Sequence, residues 1–367
     1  MAAAMMGESR RGASGGALTV DQIEHELGQL RMNEDGTLGL RASVLNLIVV
    51  TDEESAPEIT ESVSRLATQY PSRAILLISD PEGERDLDIQ LAAFCNVRGG
   101  GGSQVCAEQI TIHASGPPAR HLESFAGPLL VPDLPVFLWY PGPFSSSSPE
   151  FSGITPLADR LIVDSSAAGD AEASLRDLAG LLESGEVPAI GDIQWVALSP
   201  WRSLISELFS AHERARELDR IHRVEVLHTP KGECRALILL GWLASALGWE
   251  LEDASRNECC WRVTYSGPSG EINVETSDDS PDARLRRVRL YGEEMIFQVS
   301  RHRELSDASA TVMRDGELIG ERTVRLGASN LGILLGEELR YRGRDTAYEA
   351  ALKGAVEVLN HVCHRRL

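Results

Sequence analysis

Five consecutive apolar residues, Val136–Tyr140 (VFLWY), constrain the fold more than any other stretch of the sequence. A strand with one face in water alternates apolar and polar residues, whereas a strand covered on both faces is a continuous apolar run. Pro135 and Pro141 border the run and cannot donate to a ladder of hydrogen bonds, so they set its length. The run therefore predicts a central strand of a mostly parallel sheet.

The segment before this strand is rich in proline, which disfavours helix at the residue that precedes it. We therefore predict an extended approach segment from Pro128 to Pro135. Its apolar side chains belong either to the core or to a docking edge, and we favour the core because apolar runs are usually buried. The candidates for contact with a partner under the second interpretation are Leu129, Leu130, Trp139 and Tyr140.

Strand and helix patterns alternate along the first half of the chain. Three residues have the character of helix caps, namely Thr19, Ser55 and Asp170. Strand, helix and strand at this spacing predict parallel pairing through right-handed crossovers. We predict an α/β domain with a mostly parallel sheet over residues 19–198, after a disordered polar tail at residues 1–18. The predicted strands are Val44–Val50, Ala74–Ser79, Gln109–Ala114, Val136–Tyr140, Arg160–Asp164 and Ile193–Leu198.

The pattern changes in the second half. Ala236–Trp249 is apolar all round and predicts a central helix. Alternating apolar and polar residues then predict an antiparallel meander, with a hairpin turn at Asp315-Gly316. Two helical patterns, near residues 330–339 and 346–361, finish the chain. We predict an α+β domain over residues 199–367.

Charge and composition exclude several classes of function. The chain has 367 residues and a formal net charge of −20. This charge argues against general nucleic-acid binding and against anionic membrane surfaces. No stretch has the length and apolarity of a membrane span or a secretory signal, and six cysteines are too few for a disulfide scaffold. We therefore expect a cytoplasmic protein with no nucleic-acid or membrane partner.

Motifs for cofactors and metals are missing from the sequence. Neither G-x-G-x-x-G nor G-x-x-x-x-G-K-[ST] occurs, although the run Gly99–Gly102 invites a phosphate-loop interpretation. H-E-x-x-H and C-x-x-C do not occur either. We predict a chain with no cofactor, no metal and no catalytic residues, in which the glycine run is a flexible loop.

Two cysteines, Cys95 and Cys106, lie on either side of the glycine run. In a reducing compartment free thiols are favoured over a disulfide. If the two do pair, oxidation restrains the loop between them, so they are our redox candidates.

Arginines cluster in the predicted meander of this otherwise acidic chain. The cluster forms either a solvated face with local ion pairs or a site for an anionic ligand or an acidic partner surface. The sequence leaves these two interpretations open. The candidate partner-binding residues are Arg284, Arg286, Arg287 and Arg289.

Four stretches, in their order and spacing, resemble the OpcA family of glucose-6-phosphate dehydrogenase assembly proteins. They are Arg41–Val50 (RASVLNLIVV), Pro132–Gly142 (PDLPVFLWYPG), Ser199–Arg202 (SPWR) and Leu239–Trp249 (LLGWLASALGW). The resemblance covers about residues 20–360. It implies a non-enzymatic, cytoplasmic protein of the oxidative pentose phosphate pathway, found in cyanobacteria and actinomycetes. Such a protein binds glucose-6-phosphate dehydrogenase and promotes its active oligomer.

The resemblance also implies a link to thioredoxin, because the dehydrogenase partner of cyanobacterial members is under redox control. The alternative function is an α/β enzyme or binding protein that acts on a phosphosugar through the arginine cluster. Missing nucleophile and base patterns count against that alternative.

Overall fold

Each of two structural units in the chain is built around one β-sheet. The computed structural model describes residues 7–13, 18–32, 40–41, 43–67, 69–97, 104–257, 260–278, 284–302, 307–326 and 330–364. Unit 1 comprises residues 1–167, 184–191 and 331–344, and unit 2 comprises residues 168–183, 192–330 and 345–367. The single boundary predicted at residues 198–199 is therefore too simple, because segments from each half of the chain belong to the unit of the other half.

The strands of unit 1 are β1 (Gly7–Ala13), β2 (Leu40–Arg41), β3 (Leu45–Thr51), β4 (Ser72–Asp80), β5 (Asp86–Val97), β6 (Gln104–Ser115), β7 (Val136–Tyr140), β8 (Arg160–Val163) and β9 (Ile190–Asp192, whose last residue is counted with unit 2). Its helices in the first half of the chain are α1 (Val20–Leu30), α2 (Ala56–Leu66), α3 (Leu122–Ala126) and α4 (Pro149–Ile154). Three 3-10 turns lie at Pro117–Arg120, Gly127–Leu129 and Thr155–Leu157.

The sheet of unit 1 has the strand order of a dinucleotide-binding fold. Its described strands run β1-β5-β6-β4-β3-β7-β8-β9, and β2 pairs with β6. β6, β4, β3, β7 and β8 pair in parallel, whereas β5 and β1 continue the sheet antiparallel. If β1, β2 and β5 are left out and the six remaining strands are renumbered along the chain, their order in the sheet is 3-2-1-4-5-6, which is the order of the Rossmann fold. The predicted mostly parallel sheet is confirmed.

The central strand β7 has the predicted bounds and is buried along its whole length. Its neighbour β3 is equally buried and contains Asn46, which is fully buried. The Asn46 amide donates to the Val131 carbonyl at 3.0 Å and accepts from the Val131 amide at 2.9 Å. These bonds satisfy a polar group that would otherwise be costly to bury, so Asn46 is structural.

The predicted extended approach to β7 is wrong. Gly127–Leu129 is a 3-10 turn, and the backbone turns again at Asp133, whose φ is 63°. Because the segment turns, the Val131 backbone reaches Asn46 and Leu129 reaches the core, where it is 2% exposed.

Two further expectations for unit 1 need correction. The predicted disordered tail includes Gly7–Ala13, which is a strand paired with β5. Ser55 does not cap α2 with its side chain; its own amide instead donates to Asp52 Oδ1 at 2.7 Å. The caps at Thr19 and Asp170 are confirmed by their bonds to the amides of Gln22 and Ala173.

A buried ion network ties α1 to the sheet of unit 1. Arg73 on β4 and Glu108 on β6 are each 1% exposed. Arg73 donates to Glu108 Oε2 from Nε at 2.9 Å and from Nη2 at 2.6 Å. It also donates to Glu24 of α1 at 3.1 Å and to the Leu129 carbonyl at 3.1 Å. Arg31 Nε lies 3.1 Å from the other oxygen of Glu108.

The helices of unit 2 are α5 (Ala171–Ser184), α6 (Ile193–Ala197), α7 (Ser199–Leu208), α8 (His212–Ala215), α9 (Glu233–Leu247) and α11 (Thr346–His364), while α10 (Leu331–Glu338) belongs to unit 1. The strands of unit 2 are β10 (Arg223–His228), β11 (Glu250–Arg256), β12 (Trp261–Gly267), β13 (Gly270–Ser277), β14 (Leu285–Tyr291), β15 (Met295–Arg301), β16 (Asp307–Arg314) and β17 (Glu317–Arg325). Its 3-10 turns are Leu218–Arg220 and Pro230–Gly232.

The described strands of the unit 2 sheet run β11-β12-β13-β10-β14-β15-β16-β17. The predicted antiparallel meander and the turn at Asp315-Gly316 are confirmed, but β10 enters between β13 and β14 and pairs in parallel with β13. Ile193–Leu198, predicted as a strand, is helix α6 and the residue after it. Asp192 caps this helix, since its Oδ1 accepts from the Gln194 amide at 2.9 Å.

The central helix α9 is confirmed, and it crosses α11 at two glycines. A Cβ on Gly241 would lie 2.0 Å from the Ala351 carbonyl oxygen, and one on Gly354 would lie 2.9 Å from Gly241 Cα. Only glycine permits this close approach of two backbones. Within the described ranges, no helix has the length and apolarity required to cross a bilayer.

Candidate functional site

The carboxyl edge of the parallel sheet is where an open α/β fold places a ligand, at the point where strand order reverses. In unit 1 this point lies between β3 and β7. A dinucleotide-binding protein has a glycine-rich turn here that offers amide groups to a pyrophosphate. This chain has Asp52-Glu53-Glu54-Ser55 instead, three carboxylates and no glycine. The Ser55 amide is already bonded to Asp52. The loop therefore repels an anionic pyrophosphate.

Three aromatic residues cluster around the loop after β7: Tyr140 at the end of the strand, Phe144 in the loop and Phe151 on α4. Phe144 stacks on Phe151 with ring centroids 5.5 Å apart, and Tyr140 meets Phe151 at 5.2 Å. Burial, and secondarily the charge of Glu150, raises the pKa of Tyr140, so its hydroxyl stays protonated at neutral pH. This loop offers aromatic packing where a cofactor-binding edge would offer polar groups.

The arginine cluster of the sequence is divided by the pleat of β14. Val288 and Leu290 are buried, so Arg287, Arg289 and Tyr291 lie on the opposite, open face of the sheet. Leu227 pairs with Arg287 and His228 pairs with Leu285, which leaves Arg286 as the extra residue of a bulge. Arg284 precedes the strand. The four candidate arginines therefore do not share one face.

On the open face, Arg289 belongs to a polar network. It donates to Gln298 Oε1 at 2.9 and 2.6 Å and to the Tyr291 hydroxyl at 3.1 Å. Tyr291 in turn donates to Glu225 at 2.9 Å. Arg223 also pairs with Glu225. The local ion pairs of the first interpretation are present, since both Arg223 and Arg289 lie beside the single carboxylate of Glu225.

An apolar row borders this network. The register aligns Tyr291 with Ile296, Ile296 with Met313 and Met313 with Leu318, so the four side chains cross the open face side by side. Leu318, on the edge strand β17, is 57% exposed. Arg287 is half-buried, and its Nε has no hydrogen-bond partner among the described residues. We call Arg287, Arg289 and this apolar row the open-face patch.

Three of the four apolar candidates near β7 are buried in the core of unit 1. Leu129, Trp139 and Tyr140 are 2%, 0% and 8% exposed, and Leu130 is half-buried. The core interpretation of this segment therefore accounts for the first three, which position β7 and do not offer a surface.

The redox candidates meet, contrary to the expectation of free thiols. β5 and β6 place Cys95 directly opposite Cys106, with Cα atoms 4.0 Å apart, and the two form a disulfide. The sequence could not predict this because the register of the two strands was unknown. The glycine run itself, Gly99–Gly102, lies outside the described residues.

Within the described part of the chain, no group of three or more His, Cys, Asp or Glu side chains is placed to hold a metal ion.

The sequence analysis did not predict the partners of Arg289, which are Glu225, Tyr291 and Gln298. The alternation of β10, in which Val224 and Val226 are buried, assigns Glu225 to the open face. That signal was present, but the pairing of β10 with β14 was not predicted.

Comparison with known families gives two consecutive matches. The family model for a glucose-6-phosphate dehydrogenase subunit N-terminal domain (OpcA) matches residues 63–180. The model for the C-terminal domain of the same subunit matches residues 188–352. Together the two models cover well over half of the chain.

Curated relatives carry the same family name. A putative OxPP cycle protein OpcA from Synechocystis sp. is 30% identical over 185 residues, which are 50% of this chain and 38% of the relative. The protein of the same name from Nostoc punctiforme is 26% identical over 277 residues, 75% of this chain and 53% of the relative. The chain thus spans about half or less of the length of these relatives.

Solved structures share the fold at low identity. An NAD binding oxidoreductase from Klebsiella pneumoniae has a TM-score of 0.52 and 12% identity, over 88% of this chain and 96% of that one. A super-repressor mutant of Gal80p from Saccharomyces cerevisiae has a TM-score of 0.53 and 10% identity, over 88% and 97%. At such identity the similarity concerns the fold alone.

Proposed function

This chain belongs to the OpcA family, and from that premise we propose that it binds glucose-6-phosphate dehydrogenase as a non-catalytic partner and favours the active oligomer of that enzyme. The observation that carries the proposal is the pair of dehydrogenase-subunit models matched in order along residues 63–352. The names of the curated relatives refer to the OxPP cycle, and we propose that this chain acts in that cycle in the cytoplasm.

The loop after β3 supports a non-catalytic role. The fold is shared with an NAD-binding enzyme, so the question is whether this chain uses the same edge for a nicotinamide cofactor. Asp52, Glu53 and Glu54 stand where such an enzyme needs amide donors for phosphate. We propose that the chain binds no nicotinamide cofactor, and that the fold serves as a scaffold for protein contacts.

Activation by such a partner has a thermodynamic condition. A binding protein shifts an equilibrium between inactive and active enzyme only by its difference in affinity for the two states. A tenfold shift requires about 1.4 kcal/mol of that difference. The chain therefore has to contact a surface of the dehydrogenase that changes between the states.

We propose that the open-face patch supplies part of this contact. A chain with a net charge of −20 repels other acidic proteins at long range, so association requires apolar burial or a local patch of opposite sign. The open-face patch offers both, because Arg287 and Arg289 lie beside a row of apolar side chains. Arginine suits this role, since its planar guanidinium binds carboxylates in pairs and is weakly hydrated.

Thioredoxin is a second proposed partner. The disulfide between Cys95 and Cys106 supports this, because a dithiol reductant acts on such a bond. The phosphosugar enzyme considered from the sequence is not favoured, since the four candidate arginines do not share one face and so do not converge on one phosphate.

The experiment is an assay of the dehydrogenase of the same organism at a glucose-6-phosphate concentration below its KM. NADPH formation is followed while this protein is added, with heat-denatured protein as the control. We expect the rate to rise and saturate, and we expect this protein alone to give no rate. An unchanged rate at every concentration would overturn the proposed function.

A further inference from the structure

The last strand of the unit 2 sheet, β17, has an open edge. Among the described residues, no strand pairs with its outer side. Seven of its nine residues are exposed, and Gly320 and Val324 are half-buried, so most of the strand faces solvent. At the opposite end of the sheet, by contrast, α11 packs against β11.

An open edge presents unpaired backbone amides and carbonyls, which are a template for another strand. Proteins commonly protect such edges with proline, with lysine or with a bulge. The sequence of β17, ELIGERTVR, contains neither proline nor lysine. Its register with β16 shifts once, where Ile319 is the extra residue. The stretch after this bulge, residues 320–325, pairs regularly with β16 and forms a straight edge.

Three side chains of the straight edge lie on the open face of the sheet, namely Glu321, Thr323 and Arg325. Their placement follows from Arg322, which lies between them and opposite the buried Ala310 of β16. The open face of this edge therefore carries a carboxylate, a hydroxyl and a guanidinium at alternate positions.

The two charges of this edge have no partner within the described part of the chain. Neither Glu321 nor Arg325 forms an ion pair there, although Asp307 of β16 lies opposite Arg325 in the register. Four positions along a strand span about 13 Å, so Glu321 and Arg325 of one chain cannot pair with each other. A second chain can supply a partner of opposite charge to each of them.

We propose that β17 pairs antiparallel with β17 of a second copy of this chain, about a two-fold axis at Thr323. An isologous contact of this kind uses the same surface on both copies, so one residue of the strand faces its own copy. With Thr323 at the axis, Glu321 of each copy lies opposite Arg325 of the other. The pairing therefore contains two equivalent ion pairs and one threonine pair, and both kinds of cross-strand pair are stabilising.

Two observations select this register. An axis at Glu321 places two carboxylates opposite each other, and an axis at Arg322 does the same for two guanidiniums, which is destabilising. Thr323 is also the middle residue of 320–326, the stretch that begins after the bulge and ends at Leu326, which is 4% exposed. The charges and the length of the free edge thus agree on one axis.

The net charge of −20 opposes the association of two copies at long range. At physiological ionic strength, exposed charges separated by more than about 8 Å are largely screened, so the directly opposed pairs count most. Edge-to-edge pairing leaves the open faces of both sheets uncovered. It is therefore compatible with the proposed contact to the dehydrogenase, but it does not rest on that contact.

The first test is the dissociation constant of the dimer, measured by sedimentation equilibrium of this protein alone. Glu321→Arg and Arg325→Glu should each raise Kd about ten-fold or more, because two ion pairs become two pairs of like charge. The double variant with both changes restores the pairs and should return Kd to within about three-fold of the wild type. Both side chains are exposed, so we expect circular dichroism of all three variants to match the wild type.

The matched control is Glu317→Arg, which makes the same change of charge on the same strand but before the bulge. It should leave Kd unchanged. A second measurement tests the register. Thr323→Cys should form a disulfide-linked dimer under mild oxidation, because directly opposed Cβ atoms lie about 4.5–5.5 Å apart. Glu321→Cys faces Arg325 and should not, and oxidised wild type gives the background of the native cysteines.

A protein that stays monomeric at every concentration up to its solubility limit would overturn the proposal, as would a dimer whose Kd neither single variant raises. If the protein stays monomeric and Glu321→Arg instead weakens activation of the dehydrogenase, the edge binds a strand of that partner and not a second copy. The sedimentation and oxidation experiments contain no dehydrogenase, so their failure and the failure of the proposed function are distinct results.

Discussion

The buried network around Glu108 gives the sharpest test of how unit 1 is held together. We consider Glu108→Gln, which preserves size and removes the charge. In the wild type, Glu108 accepts two bonds from Arg73 and lies 3.1 Å from Arg31 Nε. Burial lowers the pKa of Arg73, but the bonds and charges of Glu24 and Glu108 more than offset this, so the pKa is raised. Arg73 stays charged in the variant, because an arginine guanidinium is not deprotonated in proteins and the carboxylate of Glu24 remains beside it.

The expected loss of stability can be worked out because the buried charge of Arg73 keeps fewer partners in the variant. Removal of one member of a buried ion pair costs about 3–5 kcal/mol. Arg73 keeps its bonds to the partly exposed Glu24 and to the Leu129 carbonyl, which places the loss at the lower end, about 3 kcal/mol. For a unit of this size, such a loss corresponds to a Tm lower by about 6–12 °C.

The assay combines thermal unfolding with hydrogen exchange of the α1 amides, because α1 is attached through Glu24 and Arg31. We expect a lower Tm and faster exchange across α1 in Glu108→Gln. The control is Glu61→Gln, which removes a carboxylate from an exposed pair with Arg65 and should cost about 0.5 kcal/mol or less. If the free energy of unfolding of Glu108→Gln lies within about 1 kcal/mol of that of the wild type, the network stabilises unit 1 no more than a surface ion pair does, contrary to this prediction.

Three other predictions follow from contacts in the two units. Gly241→Ala should destabilise unit 2 by about 1–3 kcal/mol or more in denaturant unfolding, since its methyl group would overlap the α11 backbone. Cys95→Ser should lower the free energy of unfolding by about 2–3 kcal/mol relative to the oxidised wild type, because the disulfide no longer restrains the unfolded chain. Relative to the reduced wild type, the free energy of unfolding should not change. The double variant Arg287→Glu and Arg289→Glu should raise the protein concentration needed for half-maximal activation of the dehydrogenase, and it should remove the weakening of activation by salt that we expect for the wild type.

These three predictions have separate controls. Gly180→Ala, on α5 where a Cβ meets no atom within 4 Å, should not destabilise unit 2. Two free thiols found by alkylation of Cys95 and Cys106 in non-reduced protein would contradict the disulfide. Arg262→Glu breaks an exposed pair with Glu275 and should leave activation unchanged. If it weakens activation as much as the double variant, general charge rather than the open-face patch is responsible.

Much of the fold could be predicted because short sequence patterns indicate where helices and strands begin and end. The bounds of β7 follow from two prolines, and the start of α1 follows from the capping box of Thr19 and Gln22. Ile193–Leu198 was assigned wrongly because a short apolar run fits a strand or a buried helix equally well. In the structure the segment is a helix, which Asp192 caps by accepting a hydrogen bond from the Gln194 amide. β11 was missed because carboxylates interrupt its alternation.

The candidate sites depended on long-range order that no local pattern contains. The arginines of β14 were found, but the bulge at Arg286 divides them between positions, and only the register with β10 reveals it. The disulfide likewise depends on the register of β5 and β6. The network of Arg73, Glu24 and Glu108 joins residues that are 35 to 49 positions apart in the sequence. Sequence periodicity predicts which face of a sheet a side chain occupies, but it does not predict which side chains of other strands lie beside it.

Sedimentation velocity of the dehydrogenase, with and without this protein, tests whether this protein shifts the enzyme to its active oligomer. The dehydrogenase carries a fluorescent label, and its activity is assayed in the same samples at low glucose-6-phosphate. We predict that the label moves into a larger species as this protein is added, and that the specific activity rises in proportion to that species. Unchanged sedimentation of the dehydrogenase at saturating amounts of this protein would contradict the proposed function.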